Sequence, residues 1–329
     1  MVIASRIPLS ISPLLLFVLA GCGPGVDSDS PADTAPEALV PLDPPADPGF
    51  QLHIGPFDVP VGTEVQSCYY INVPAETDVD VTRIEFAYTS GSHHVNVFRT
   101  EDPSYMHEDG SMTEDCWDAP DWTKVSLVAN SQLTALDWVL PETTAIPMGP
   151  ASQLIVQIHY VNIEAGNQTT PTNEGEAYIN FHAEPKGTRP NPLGALFANN
   201  RSIALPPHEY SSFSASCMLP EGSNVIALSG HFHSRGQQFL IDRYTGATDT
   251  TEAVVGEEVY GSTQWDEPQF ETYDVGDIVL GANEGLAYTC DFFNDTDETI
   301  VFGPHVETDE HCNMFGYYYP AAATSTYCF

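Results

Sequence analysis

The chain has 329 residues and a formal net charge of -37, with 46 acidic side chains against 9 Lys and Arg. That length suffices for two domains, each with its own core. The shortage of clustered cations excludes nucleic acid and anionic membrane surfaces as partners, because both are held through Lys and Arg.

Taken in chain order, residues 1–22, "MVIASRIPLSISPLLLFVLAGC", carry one Arg, an apolar run from Leu14 to Ala20, and then Leu-Ala-Gly-Cys. This looks like a bacterial lipoprotein signal peptide, cut before Cys22 with a lipid attached there. The run is too short to span a bilayer. The expectation is an extracytoplasmic chain held on a bacterial membrane, the outer membrane or cell surface, only through its N-terminal lipid. Residues 23–50 are rich in Pro, Asp and Ala without a hydrophobic period, which reads as a disordered tether. From residue 51 onward, short alternating runs such as "TRIEFAY", "QLIVQIHYVNI", "NVIALSGHFH" and "MFGYYY" recur between turn residues. No crossover helices separate them, so a parallel α/β sheet is excluded. The pattern predicts an all-β protein of two tandem antiparallel β-sandwiches, jelly-roll-like, over residues 51–186 and 187–329. The boundary falls in "AEPKGTRPNPLG", residues 183–194, where Pro and Gly interrupt the strands.

Seven cysteines become six once Cys22 is assigned to lipid. An even number outside the cytosol reads as three disulfides, with the pairing open. None lies in a C-x-x-C pair, which excludes a zinc ribbon or a thioredoxin-like site.

The eleven histidines are grouped. "GSHHVNVF" holds His93 and His94, "QIHYVN" holds His159, "SGHFHSRG" holds His231 and His233, and "DEHCNMF" holds His311. Side chains two apart on a strand share a face, so His231 and His233 form a two-imidazole grip while Phe232 points into the opposite layer. His93 and His94 are adjacent and share a site only across a bulge, for which Gly91 and Ser92 provide the irregularity. In residues 309–315 the same parity puts His311, Asn313 and Phe315 on one face and Cys312 and Met314 on the other. Either the imidazole or the thioether reaches a metal there, and the other packs. His53, His107, His182 and His208 read as surface or hydrogen-bonded residues.

This order, HH, then "QIHY", then HxH, then "DEHCN" before a tyrosine-rich strand, together with "IALPPHEYSSFSASC", resembles the copper type II, ascorbate-dependent monooxygenases, the family of peptidylglycine α-hydroxylating monooxygenase and dopamine β-hydroxylase. The resemblance runs from about residue 51 to the end. It implies two β-sandwich domains with two coppers per chain, one in each, and a water-filled cleft between them. His93, His94 and His159 would hold the electron-passing copper; His231, His233 and a third ligand would hold the dioxygen-binding one. The family's usual third ligand is a methionine at the place of His311, so His311 is taken as that ligand and Met314 as packing. The resemblance also pairs Cys290 with Cys312 and Cys217 with Cys328, leaving Cys68 with Cys116. Gln157 matches a glutamine near the first copper, and His305, shortly before the metal motif, suits a supporting role.

For the substrate, the resemblance implies a small molecule and dioxygen, with ascorbate or another one-electron donor as reductant. The peptide-amidating branch has an arginine two residues before HxH and a tyrosine four after the methionine, where this chain has Ser229 and Phe315; Asn313 is kept. A peptidylglycine substrate is therefore not expected, and Arg235 is an alternative partner for an anionic group. A third imidazole in place of a thioether suits Cu(II) and zinc and lowers the reduction potential. The expected function is a copper-dependent monooxygenase that hydroxylates a C–H bond; the alternative is a copper-binding or electron-relay lipoprotein without catalysis. A zinc hydrolase lacks the carboxylate of an H-E-x-x-H arrangement.

Overall fold

Alternation of apolar and polar residues does fold into strands throughout. A computed structural model describes residues 39–118, 120–162, 174–322 and 325–329, and among these there is no helix. The expected signal peptide and Cys22 lie outside the described residues. Residues 38–329 form one compact unit.

Two sheets are built from strands up to Pro185. One runs Phe50–Asp58, Glu174–Pro185, Val79–Tyr88 and Thr144–Met148, with Ala135–Val139 also on Val79–Tyr88. The other runs Met112–Thr113, Glu64–Asn72, Gln153–Val161, Ser92–Thr100 and Val125–Ser131. Asn191–Pro192 still pairs with Thr144–Met148, in parallel, so the first sheet takes residues from beyond the expected boundary at 186. The ordered chain also starts ahead of residue 51: Gln51 donates to the carbonyl of Leu42 and Asn180 to that of Asp43.

The later strands form another pair of sheets. One is Phe270–Thr272, Asn224–His231, Asn313–Tyr319, Gly194–Asn199 and Thr326–Cys328; the other is Tyr210–Met218, Glu284–Phe293, Gly236–Thr245 and Val254–Ser262. Disulfides Cys217–Cys328 and Cys290–Cys312 join these two sheets, and Cys68–Cys116 fastens the segment after Met112–Thr113 to Glu64–Asn72. The first two pairs are those the resemblance implies, and the third is the one that elimination leaves.

The sheet holding Asn313–Tyr319 is buried on both faces, and this places the site. Leu196, Leu228, Met314 and Tyr318 point into a core shared with Phe239, Leu286 and Tyr288 of its partner sheet. Ala195, Phe197, Ala227, Phe315 and Tyr317 point the other way, into a core shared with Val95, Ile155 and Trp138 of the earlier strands. A side chain buried this fully is worth roughly 1.5–3 kcal/mol, so both faces are held firmly. The strand Gln153–Val161 is likewise buried along its whole length. Polar residues on these strands therefore sit between apolar layers, where each needs a partner.

Candidate metal centre

The six histidines of the four motifs come together in one cluster. The pairing between Ser92–Thr100 and Gln153–Val161 shifts register between Ser92 and His94, beside Gly91 with its φ of 88°. That bulge brings the adjacent His93 and His94 to ring centroids 5.4 Å apart, with His159 5.2 and 5.1 Å from them. His231 ends its strand, and His233 follows Phe232, which is buried and stacked on Phe239 in the opposite layer. Just ahead of Asn313–Tyr319, His311 lies 5.4 Å from His231 and 4.5 Å from His233.

The two groups are not separated as the resemblance implies. His93 lies 4.7 Å from His231 and 5.1 Å from His233, and His94 lies 5.4 Å from His231. Ligand nitrogens of His93, His231 and His233 lie within 4.8 Å of one another, a grouping that crosses the expected partition.

The hydrogen bonds define which nitrogen each ring offers. Gln132 donates from Nε2 to the carbonyl of Gly230 (2.9 Å), so its Oε1 must accept from His231 Nδ1–H (2.5 Å), leaving His231 Nε2 as a lone pair. His233 Nδ1–H donates to the carbonyl of Asp309 (3.0 Å), leaving Nε2, which lies 2.9 Å from His311 Nδ1. That spacing suits a hydrogen bond, and it is also the spacing of two imidazoles on one metal at about 2 Å and roughly a right angle. His159 Nε2–H points to the Glu64 carboxylate at 3.0 Å, leaving Nδ1. Asn96 donates to His94 Nδ1 at 3.2 Å, a bond that a metal at this nitrogen would displace. His93 is 3% exposed, and neither of its ring nitrogens has a partner among the described residues. Leaving such groups unpaired in a core costs about 1–3 kcal/mol, a cost that a metal at His93 would remove. An all-imidazole set suits Cu(II) and zinc, so these residues fit copper.

Burial sets the electrostatics. It pushes the imidazoles of His93, His94, His231 and His311 well below their usual range, and that of His233 down to about 3; neighbouring imidazoles add to the effect in each, and at His233 the bond to Asp309 opposes it. Burial also pushes Glu310 up to about 8, against backbone amides of Arg235, His233 and His311 that favour the carboxylate. Burial opposes the Glu64 carboxylate too, but His159 and the amides of Val306 and Glu307 outweigh it and hold Glu64 low. Glu64 thus ties one histidine group to the segment that leads into the other.

A cavity of about 290 Å³ opens beside the cluster, lined by His94, His231 and His311, and also by Gln157, Asn313 and Phe315 of the expected site residues. Met314 is fully buried on the other face, as the parity reading has it, and Cys312 is in its disulfide. Ser229 does not line the cavity; its hydroxyl accepts from Asn130 at 3.2 Å. Arg235 does not line the cavity; it is partly buried and its Nη2 donates to the carbonyl of Glu307. His305 packs on Trp117 with its Nδ1 3.9 Å from Glu64. His53, His182 and His208 lie against Glu176, Glu85 and Asp297, while His107 stacks on Tyr70.

Residues 197–329 match the model of the copper type II ascorbate-dependent monooxygenase, C-terminal domain. Over that stretch the chain is similar to the copper type II, ascorbate-dependent monooxygenases. It is also similar to a tyramine beta-hydroxylase of Caenorhabditis briggsae, 24% identical over 292 residues that make up 81% of this chain and 47% of that protein. The chain thus spans about half the length of this relative. Among solved structures, the STIV MCP is 10% identical at a TM-score of 0.34, covering 82% of this chain and 96% of that one. The tandem CBM22 domains of Paenibacillus barcinonensis Xyn10C are 9% identical at 0.21, covering 79% of each chain. Likenesses this low carry no argument.

Sequence reasoning missed Gln132, Glu64 and Glu310, which orient His231, His159 and the loop amides. Gln132 and Glu64 act across a long sequence separation and no local motif marks them, whereas Glu310 stands inside "DEHCN", and its reach to the amides of His233 and Arg235 depends on the fold. Gly236 is a further requirement of the HxH segment in this chain: a Cβ there would lie 1.8 Å from Cδ2 of Phe232. Gly236→Ala is expected to displace that ring, lower stability by about 1–3 kcal/mol, and weaken copper binding at the flanking His231 and His233. Calorimetric unfolding and a copper titration check this; unchanged copper affinity would separate Phe232 from ligand placement.

Proposed function

We propose that this protein is a copper monooxygenase that hydroxylates a C–H bond of a small organic molecule, using dioxygen and a one-electron donor such as ascorbate. The observation that carries this reading is the convergence of six imidazoles, three of them lining the head of a cavity, in a chain whose residues 197–329 match the copper monooxygenase C-terminal domain. His93, His94, His159, His231, His233 and His311 would hold two coppers, which when bound supply the one-electron and dioxygen chemistry. The chain's own residues orient and enclose. Gln132 and the Asp309 carbonyl turn the lone pairs of His231 and His233 inward. Glu64 fixes His159. Trp122, Phe197 and Phe315 wall the far end of the cavity and keep water from a bound substrate. Three disulfides persist in oxidising compartments, which supports an extracytoplasmic location with the lipid anchor expected at Cys22.

A second reading, a copper-binding or electron-relay protein, is favoured by one observation: Met314 is turned away and an imidazole takes the soft ligand's place, which favours Cu(II) over Cu(I). Copper titration of the purified protein followed by dioxygen uptake with ascorbate decides between them. Uptake that needs copper and is lost in His311→Ala supports the monooxygenase; tight copper binding with ascorbate oxidised only stoichiometrically favours the relay.

A further inference from the structure

The stretches "HVNVF", residues 94–98, and "HCNMF", residues 311–315, share the pattern H-x-N-x-F. On a strand that spacing puts the three side chains on one face in successive steps of about 6.6 Å. The two stretches come from sheets on opposite sides of the cavity, and all six side chains line it. The cavity is therefore tiered. At its head are His94, His231 and His311; at its far end Trp122 joins the two walls, 5.4 Å from Phe98 and 4.7 Å from Phe197, which lies 4.9 Å from Phe315. Between them is a tier of amides.

That amide tier is unsatisfied. Gln157 donates from Nε2 to the carbonyl of Cys116, which fixes its Oε1 as an acceptor for Asn96 Nδ2 at 3.2 Å. Asn96 Oδ1 is thereby left pointing away with no partner, although the residue is 7% exposed. On the other wall Asn199 and Asn313, paired across neighbouring strands and 4% and 5% exposed, also have side-chain oxygens without a partner among the described residues. Such groups call for a ligand that hydrogen-bonds and, at Asn96, one that donates. The charged residues of the lining, Asp118 and Arg201, are both exposed, so the buried tiers hold no counter-charge.

Resting on the monooxygenase reading, we infer that the substrate is a small neutral molecule whose apolar or aromatic body fills the Phe98–Trp122–Phe197–Phe315 end and whose hydroxyl or carboxamide group meets Asn96, Asn199 and Asn313. A carbon next to that group then faces the histidines. An ammonium would be buried beside amides without a carboxylate, and a carboxylate has no hydrogen to give to Asn96 Oδ1; each charge is costly without a partner. A plain hydrocarbon would leave all three amides unpaired.

Calorimetry on the purified metal-free protein, with tryptophan fluorescence in parallel, tests this with five probes on one skeleton: 2-phenylethanol, phenylacetamide, phenethylammonium, phenylacetate and ethylbenzene. The alcohol and the amide are expected to bind about tenfold or more tightly than the other three, and Asn199→Leu is expected to erase their advantage over ethylbenzene. Equal or tighter binding of either ion, equal binding of ethylbenzene, or no binding by any probe overturns the inference. Copper is absent from the measurement, so a protein that fails to consume dioxygen can still pass it, and one that consumes dioxygen can still fail it.

Discussion

Replacing His93 by alanine is expected to weaken copper binding at both histidine groups, by about a hundredfold, whereas His311→Ala should weaken it only at the group formed with His231 and His233. The reason is position. His93 makes ring contacts with His94 and His159 on one side and with His231 and His233 on the other. Its two nitrogens have no hydrogen-bond partner among the described residues. The neighbours of His311 are His231, His233 and the ring of Phe302. Stepwise copper titration of the two variants, followed by electron paramagnetic resonance, reads this out. Copper retained at full affinity by the His231 group in His93→Ala would mean two independent centres, and the single-cluster description would fall.

Much of this centre was legible in the sequence, and the rest was hidden for a physical reason. Strand parity is local, so the shared face of His311, Asn313 and Phe315, the opposite turn of Met314 and the need for a bulge at His93 all follow from counting residues. Alternation also reads through to an all-β fold. What counting residues leaves open is how two remote strand ends meet. Gln132 lies 99 residues from His231 in sequence, and Glu64 lies 95 from His159 and 242 from Val306. These contacts are set by how the sheet of Asn313–Tyr319 packs against the earlier strands. The merging of two triads into one cluster is a consequence of that packing. The H-x-N-x-F pair was present in the sequence from the start, but two five-residue stretches acquire meaning only when the fold sets them face to face.

The metal-free protein should lose stability sharply on acidification. Burial pushes the imidazoles of His93, His94, His231, His233 and His311 far below the ordinary value near 6.5. Below that value the unfolded chain binds a proton at each of these positions and the folded chain does not. Stability therefore falls as pH falls, by about 1 kcal/mol for each imidazole between pH 6.5 and 5.5, where the unfolded ring goes from half to nearly fully protonated, or roughly 5 kcal/mol for five. Glu310 acts with the opposite sign. Burial raises it to about 8, so between there and its unfolded value the folded state holds the extra proton, and acid adds about 1.4 kcal/mol per unit. Glu64, held low, loses its contribution only at lower pH. The net effect between pH 6.5 and 5.5 is a loss of about 4 kcal/mol, which lowers the unfolding temperature by roughly 5–10 °C in a chain of this size. Scanning calorimetry of the metal-free protein at the two pH values measures it. His93→Gln, which replaces one titrating ring by a neutral amide, should flatten the slope by about a quarter. An unfolding temperature that holds steady or rises on acidification would mean that the imidazoles take up protons without leaving the fold, and that the cluster opens to water more readily than its packing allows.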